Sequence, residues 1–235
     1  FCLYSVLYEY DTEEKDTTTR EERQNYIQMC RNNLETALAN LNILMPATYE
    51  SIMALILGVS PPFHSCSFVG YTPNPYLQIQ AMHALEISKP SVAWTLASTA
   101  MNLCQTLGYH RFTSMEHDPV PVQRQKQLLF WSVYTVLSMM SLRLGRAPSI
   151  HNYDISLPAP DESIGVPEPW GPVCVCWTRS AIIQTDIYRY LYSPEALQKP
   201  ESGRVTHAHR LAAEMQSKVM EPFEVTSTVS WDVIE

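Results

Sequence analysis

Two apolar stretches of helical period, each stopped by a Leu-Gly pair, constrain this sequence more than any other feature. In the first, which Ser91 can cap, Val92, Leu96, Thr99, Leu103 and Leu107 recur at spacings of three and four, while Trp94, Ala97, Met101 and Cys104 form a second stripe. A helix that is apolar on two faces belongs in the centre of a fold. The second stretch, Val122 to Leu144, carries Phe130, Trp131, Tyr134, Leu137, Met140, Ser141 and Leu144. Gly108 and Gly145 stand where a helix ends most readily, because glycine takes the left-handed backbone that lets the last carbonyls find donors.

The remaining pattern is of the same kind. An amphipathic helix is predicted over Arg20 to Leu41, a buried one over Tyr49 to Leu57 after the break at Pro46, and further helices over Ala81 to Ile87, Val173 to Leu191 and Val205 to Val219. In the last, Val205, Ala208, Ala212, Met215 and Val219 align as the inward stripe. Residues 60–75 read as a loop, and the Pro-rich segment 147–172 reads as a wrap over the helical core without a sheet. The expected fold is all-α, an irregular bundle of about seven helices with that wrapping segment.

Charge and cysteine usage narrow the chemistry. A formal charge of -8 with scattered basic residues does not suit direct contact with nucleic acid, because phosphate neutralisation supplies most of that affinity. No apolar run is long enough to span a membrane. The chain opens at Phe1 rather than Met, and is expected to be an internal fragment. Its cysteines, Cys2, Cys30, Cys66, Cys104, Cys174 and Cys176, include no C-x-x-C pair, so buried, reduced thiols are expected and no metal or other cofactor. Cys174 and Cys176 have no nearby ligand to complete a site, and core packing is their reading. His207 and His209 project about 200° apart on a helix and cannot readily share a metal, so they are expected to face solvent. No nucleophile elbow or phosphate loop occurs, and a thiol at Cys104 in an apolar helix would have a raised pKa, so no catalytic residue is assigned. His110 and Arg111 are expected to act as cations at the negative end of a helix dipole. Arg146 is expected to bond free carbonyls or Asp154 and so dock residues 147–160.

The run Lys89-Pro90-Ser91-Val92-Ala93-Trp94 through Leu103-Cys104-Gln105-Thr106-Leu107-Gly108-Tyr109-His110-Arg111 resembles the middle homology region of fungal zinc-cluster transcription factors. Phe130-Trp131-Ser132-Val133-Tyr134, Ser141, Leu144-Gly145-Arg146-Ala147-Pro148 and Asp154-Ile155-Ser156-Leu157-Pro158 resemble the family's second block, in the same order and at matching spacing. The sequence departs from that pattern at Leu137 and Ser138, where the family often has an Asp-Arg pair. It also departs at Val59 to Gln80, which separates helices that are nearly continuous in resembling sequences. That stretch is expected to be an insertion, either a surface loop or a translated retained intron.

The resemblance implies a nuclear regulatory domain over residues 1–193, with the insertion at 59–80, and a C-terminal helix and tail at 194–235 that begins a further helical region. It implies control of RNA polymerase II transcription through intramolecular restraint or effector sensing. DNA and zinc would be bound only through a six-cysteine module absent from this chain; a small-molecule effector or co-regulator and a homodimer of the intact protein are the other implied partners, and no membrane. Trp94, Leu107, Gly108, His110, Arg111, Trp131, Tyr134, Gly145, Arg146, Pro148, Asp154 and Pro158 are the motif positions, expected to be structural. The alternative is a helical small-molecule-binding protein without a transcriptional role, whose pocket Trp94, Trp131 and Tyr134 would wall.

Overall fold

The computed structural model describes residues 45–59, 90–161 and 170–222, with isolated helical positions between 24 and 40. The expected loop at 60–75, the helix at 81–87 and all but the first residue of the expected insertion at 59–80 lie outside the described residues, as does most of the helix expected over Arg20 to Leu41. Every described element is helical, and no strand occurs among them. The chain forms two compact units, Phe1–Leu96 and Ala97–Glu235.

In the first unit, α1 (Tyr49–Val59) starts at Thr48, whose Oγ1 accepts from the Ser51 amide at 3.2 Å, the bond that an N-cap hydroxyl makes to a free amide of the first turn. Ile52, Leu55 and Ile56 are buried and share one face, at spacings of three and four. α2 (Pro90–Thr106) begins in this unit, with Ala93 and Leu96 buried, and passes into the second at Ala97.

The second unit is built around α3 (Val120–Leu144), which starts two residues earlier than its apolar pattern, with Pro119 at its N-cap. Proline suits a helix start because its missing amide proton would have had no partner there. From Leu129 to Ser141 α3 is buried on nearly every side, including the polar Thr135, Ser138 and Ser141. Its principal neighbour is α4 (Trp170–Ile187). α4 continues as a π-helical turn, Tyr188–Tyr192, and the chain reverses through the short α5 (Pro194–Leu197), capped by Ser193. α6 (Glu201–Met215) then packs back on α4 and ends in a second π turn, Gln216–Met220.

The face of α6 agrees with the expected one at Ala208, Met215 and Val219 and differs at its other two positions. Val205 is 46 % exposed and Ala212 is also exposed, while Leu211 joins Val219 against Ile183, with Ile187, Tyr190, Leu191 and Met215 around them. The π turn is the reason. An α-helix returns to one face after about seven residues, and a wider turn adds one, so Leu211 and Val219, eight apart, face the same way.

Candidate functional site

Both Leu-Gly turns have the geometry that their glycines imply. Gly108 has φ 74°; its amide bonds the Gln105 carbonyl at 3.0 Å, and the Tyr109 amide bonds that of Cys104 at 2.9 Å. Gly145 has φ 62°, with the matching pair from Gly145 to Leu142 at 3.4 Å and from Arg146 to Ser141 at 2.9 Å. This is the Schellman arrangement twice over, and it satisfies the last carbonyls of α2 and α3. Leu107 is half-buried and Tyr109 buried at the first turn.

The segment after Gly145 is strapped onto these helices by four residues. The His110 carbonyl accepts from the Ser156 and Leu157 amides at 3.1 and 3.3 Å, and Gln105 Nε2 donates to the Ser149 carbonyl at 3.2 Å. The Phe112 amide reaches Ser156 Oγ at 3.4 Å, and the indole Nε1–H of Trp131 donates to the Pro158 carbonyl at 3.0 Å. Pro148, Ile150 and Leu157 are buried beneath the strap. Two family positions are thereby joined directly, Trp131 and Pro158. The Arg146 main chain completes the second turn. Asp154 is exposed in a 3-10 turn, Asn152–Asp154.

His110 behaves differently from the expected cation. Its Nε2 accepts from Arg111 Nε at 3.1 Å, so that nitrogen is unprotonated. Burial, then the Arg111 charge, hold the imidazole below its ordinary pKa, against the opposing pull of Asp154. The neutral ring leaves its own carbonyl to do the docking.

Trp131 and Tyr134, 4 % and 1 % exposed, pack edge to face with centroids 5.3 Å apart, and Phe130 lies edge-on to Trp131 at 5.2 Å. Trp94 is half-buried on α2, in the first unit. Tyr134 also heads a chain of buried polar groups. Its hydroxyl bonds Asn152 Oδ1 and lies 2.9 Å from Thr185 Oγ1, which is 3.0 Å from Ser138 Oγ. A phenol carries one proton and an amide oxygen can only accept, so Tyr134 donates to Asn152 and accepts from Thr185, which in turn accepts from Ser138. Asn152 Nδ2 donates onward to the Ile182 carbonyl at 3.2 Å and to Asp186 Oδ1 at 3.0 Å. The chain therefore ties α3, the strap and α4 at one point. Burial pushes the Tyr134 phenol up to about 12, outweighing its two hydroxyl neighbours, so it stays protonated as the relay requires. Ser138, at one of the two positions where the sequence departs from the family pattern, supplies a neutral bond between α3 and α4.

Sequence reasoning missed Asn152, Thr185 and Asp186. The one available signal was the polar run Gln184-Thr185-Asp186 beside Ile182 and Ile183, and it did not name a partner. His209 is exposed as expected, but His207 is half-buried and stacked on Tyr190 with centroids 4.5 Å apart. Cys104 and Cys176 are buried and Cys174 partly so, all free thiols; burial raises the pKa of Cys104 far above its ordinary value. Among the described residues no group of three or more His, Cys, Asp or Glu could hold a metal ion, and no helix is long and apolar enough to cross a membrane.

Comparison with known proteins adds two findings. Residues 76–176 match the fungal specific transcription factor domain, a region that contains both turns, the strap, Trp131 and Tyr134. Over 121 residues the chain is 27% identical to the lactose regulatory protein LAC9 of Kluyveromyces lactis, an alignment covering 50% of this chain and 13% of that protein. No solved structure matches. The matched family is a class of transcription factor domain rather than of enzymes. Both findings agree with the resemblance carried by the two sequence blocks: over residues 76–176 this chain is similar to the fungal specific transcription factor domain, and it spans only a small part of the length of the relative that it matches.

Proposed function

We propose that this chain is a regulatory domain that controls RNA polymerase II transcription in the nucleus by intramolecular restraint or by sensing an effector, while a separate cysteine-rich zinc module of the intact protein contacts DNA. The regulatory body would comprise residues 1–193, with 194–235 leading into a further helical region. The carrying observation is that the matched region, 76–176, holds the two helix-ending turns and the strap that they dock, with no basic stripe for phosphate on a chain of charge -8. The strap rests on a few directional bonds and one buried polar relay, a construction that can exist in two arrangements and be biased by an effector.

The test uses the full-length protein in its own host, with a reporter gene and chromatin occupancy measured together. Asn152→Ala, which cuts the relay, should alter the ratio of induced to uninduced expression at least several-fold while promoter occupancy is retained. An unchanged ratio, or loss of occupancy in proportion to expression at equal protein level, would reject a regulatory role.

A further inference from the structure

Outside the relay, five side chains from three elements form a continuous stack. His151 lies against Tyr153 with centroids 5.1 Å apart and planes 17° from parallel; the Arg189 guanidinium lies 5.0 Å from the Tyr153 ring and 5.1 Å from the Tyr190 ring; and His207 lies against Tyr190 at 4.5 Å and 15°. Arg210 is a second guanidinium over Tyr190, at 5.3 Å. The strap contributes His151 and Tyr153, the π turn Arg189 and Tyr190, and α6 the remainder.

Rings stacked on a guanidinium occupy its faces and leave the in-plane N–H edge outward. Arg189 is exposed, and no carboxylate or other acceptor meets its side chain among the described residues. The two acidic groups that feel its charge, Asp186 and Glu195, are hydrogen-bonded elsewhere: Glu195 pairs with Lys199 at 2.7 Å, and Asp186 takes the Asn152 amide at 3.0 Å. Among the described residues the guanidinium is thus held against two rings without a hydrogen-bonded carboxylate, in a chain that carries eight more acidic than basic charges.

We infer that the Arg189 edge, framed by Tyr153 and Tyr190, is a binding subsite for a planar or tetrahedral oxyanion, the carboxylate or phosphate of a small ligand. The fork matches either group with two parallel charge-assisted hydrogen bonds. The stack already holds the side chain, so little rotamer entropy is lost on binding. Occupancy would also be felt in the core, because Tyr153 follows Asn152 directly and Asp186 lies one turn before Arg189. The inference does not depend on the transcriptional reading, and it is tested on the purified chain.

The arginine Nε–H resonances of the whole chain are followed by NMR during separate titrations with inorganic phosphate and with succinate, at ionic strength held constant with chloride. The Arg189 signal should move saturably with one or both, which identifies the ligand group. Arg189→Lys, which keeps the charge and loses the fork, should weaken binding about tenfold, the loss of roughly one charge-assisted hydrogen bond. Tyr153→Leu, which frees one face, should weaken it as well, and both variants should keep the wild-type circular dichroism because both positions are exposed. No saturable shift with either anion, or equal affinity in Arg189→Lys, would overturn the assignment.

Discussion

Cutting the buried relay at Tyr134 and at Asn152 should cost stability in amounts that do not add. Tyr134→Phe removes only a hydroxyl from a ring that is 1 % exposed, so packing is kept and two hydrogen bonds are lost. Thr185 can turn its proton to the Ala181 carbonyl, 3.2 Å away, which leaves the Asn152 oxygen as the single orphan. At about 1 kcal/mol net per bond the cost is about 2 kcal/mol. Asn152→Ala removes the Tyr134 bond together with those to Ile182 and Asp186, and leaves a half-buried carboxylate without its donor, for about 3 kcal/mol. The Tyr134–Asn152 bond is counted in both figures, so the double variant should cost about 4 kcal/mol rather than 5, a coupling of about 1 kcal/mol. Urea unfolding of the four proteins, at constant m-value, measures all of these quantities. A strictly additive double variant, or single variants within about 0.5 kcal/mol of wild type, would refute the relay as drawn.

Two further outcomes follow from local geometry. A Cβ at Gly108 would meet Ser114 Cβ at 3.0 Å in addition to adopting a positive φ, whereas one at Gly145 would meet nothing within 4 Å. Gly145→Ala should therefore cost about 1 kcal/mol of backbone strain, and Gly108→Ala measurably more in the same denaturation assay. His110 has a folded-state pKa below its unfolded one, so the unfolded chain binds the proton first; its contribution to stability is complete above the ordinary imidazole range and is lost as pH falls through that range. Thermal melts of wild type and His110→Gln across that range should converge toward acid, and parallel curves would contradict the depressed pKa.

Much of the helical body could be read directly from residue order, because what specifies it is local. The stripes of α2 and α3 obey a fixed period, α1 is a plain apolar run, and the two glycines that end α2 and α3 announce themselves by chemistry that needs no distant partner. The relay could not be read in this way. Asn152 finds its partners 18, 30 and 34 residues away, and nothing in the intervening residues fixes those distances in space. The face of α6 was misread for another reason: the period used to place Val205 and Ala212 inward assumes uniform α-helix, and the π turn at Gln216–Met220 breaks that assumption. His110 shows a third limit. Its ring invites an electrostatic role, yet its carbonyl makes the dock, a main-chain role that residue type does not announce.

The complete enclosure of Cys104 has a practical corollary. A sulfur with no route to solvent and a proton it will not release is invisible to alkylating reagents while α2 stays seated, so the speed at which it is tagged becomes a clock for how often that helix lifts away. Any signal that loosened the second unit around α2, whatever its nature, would be recorded at that sulfur.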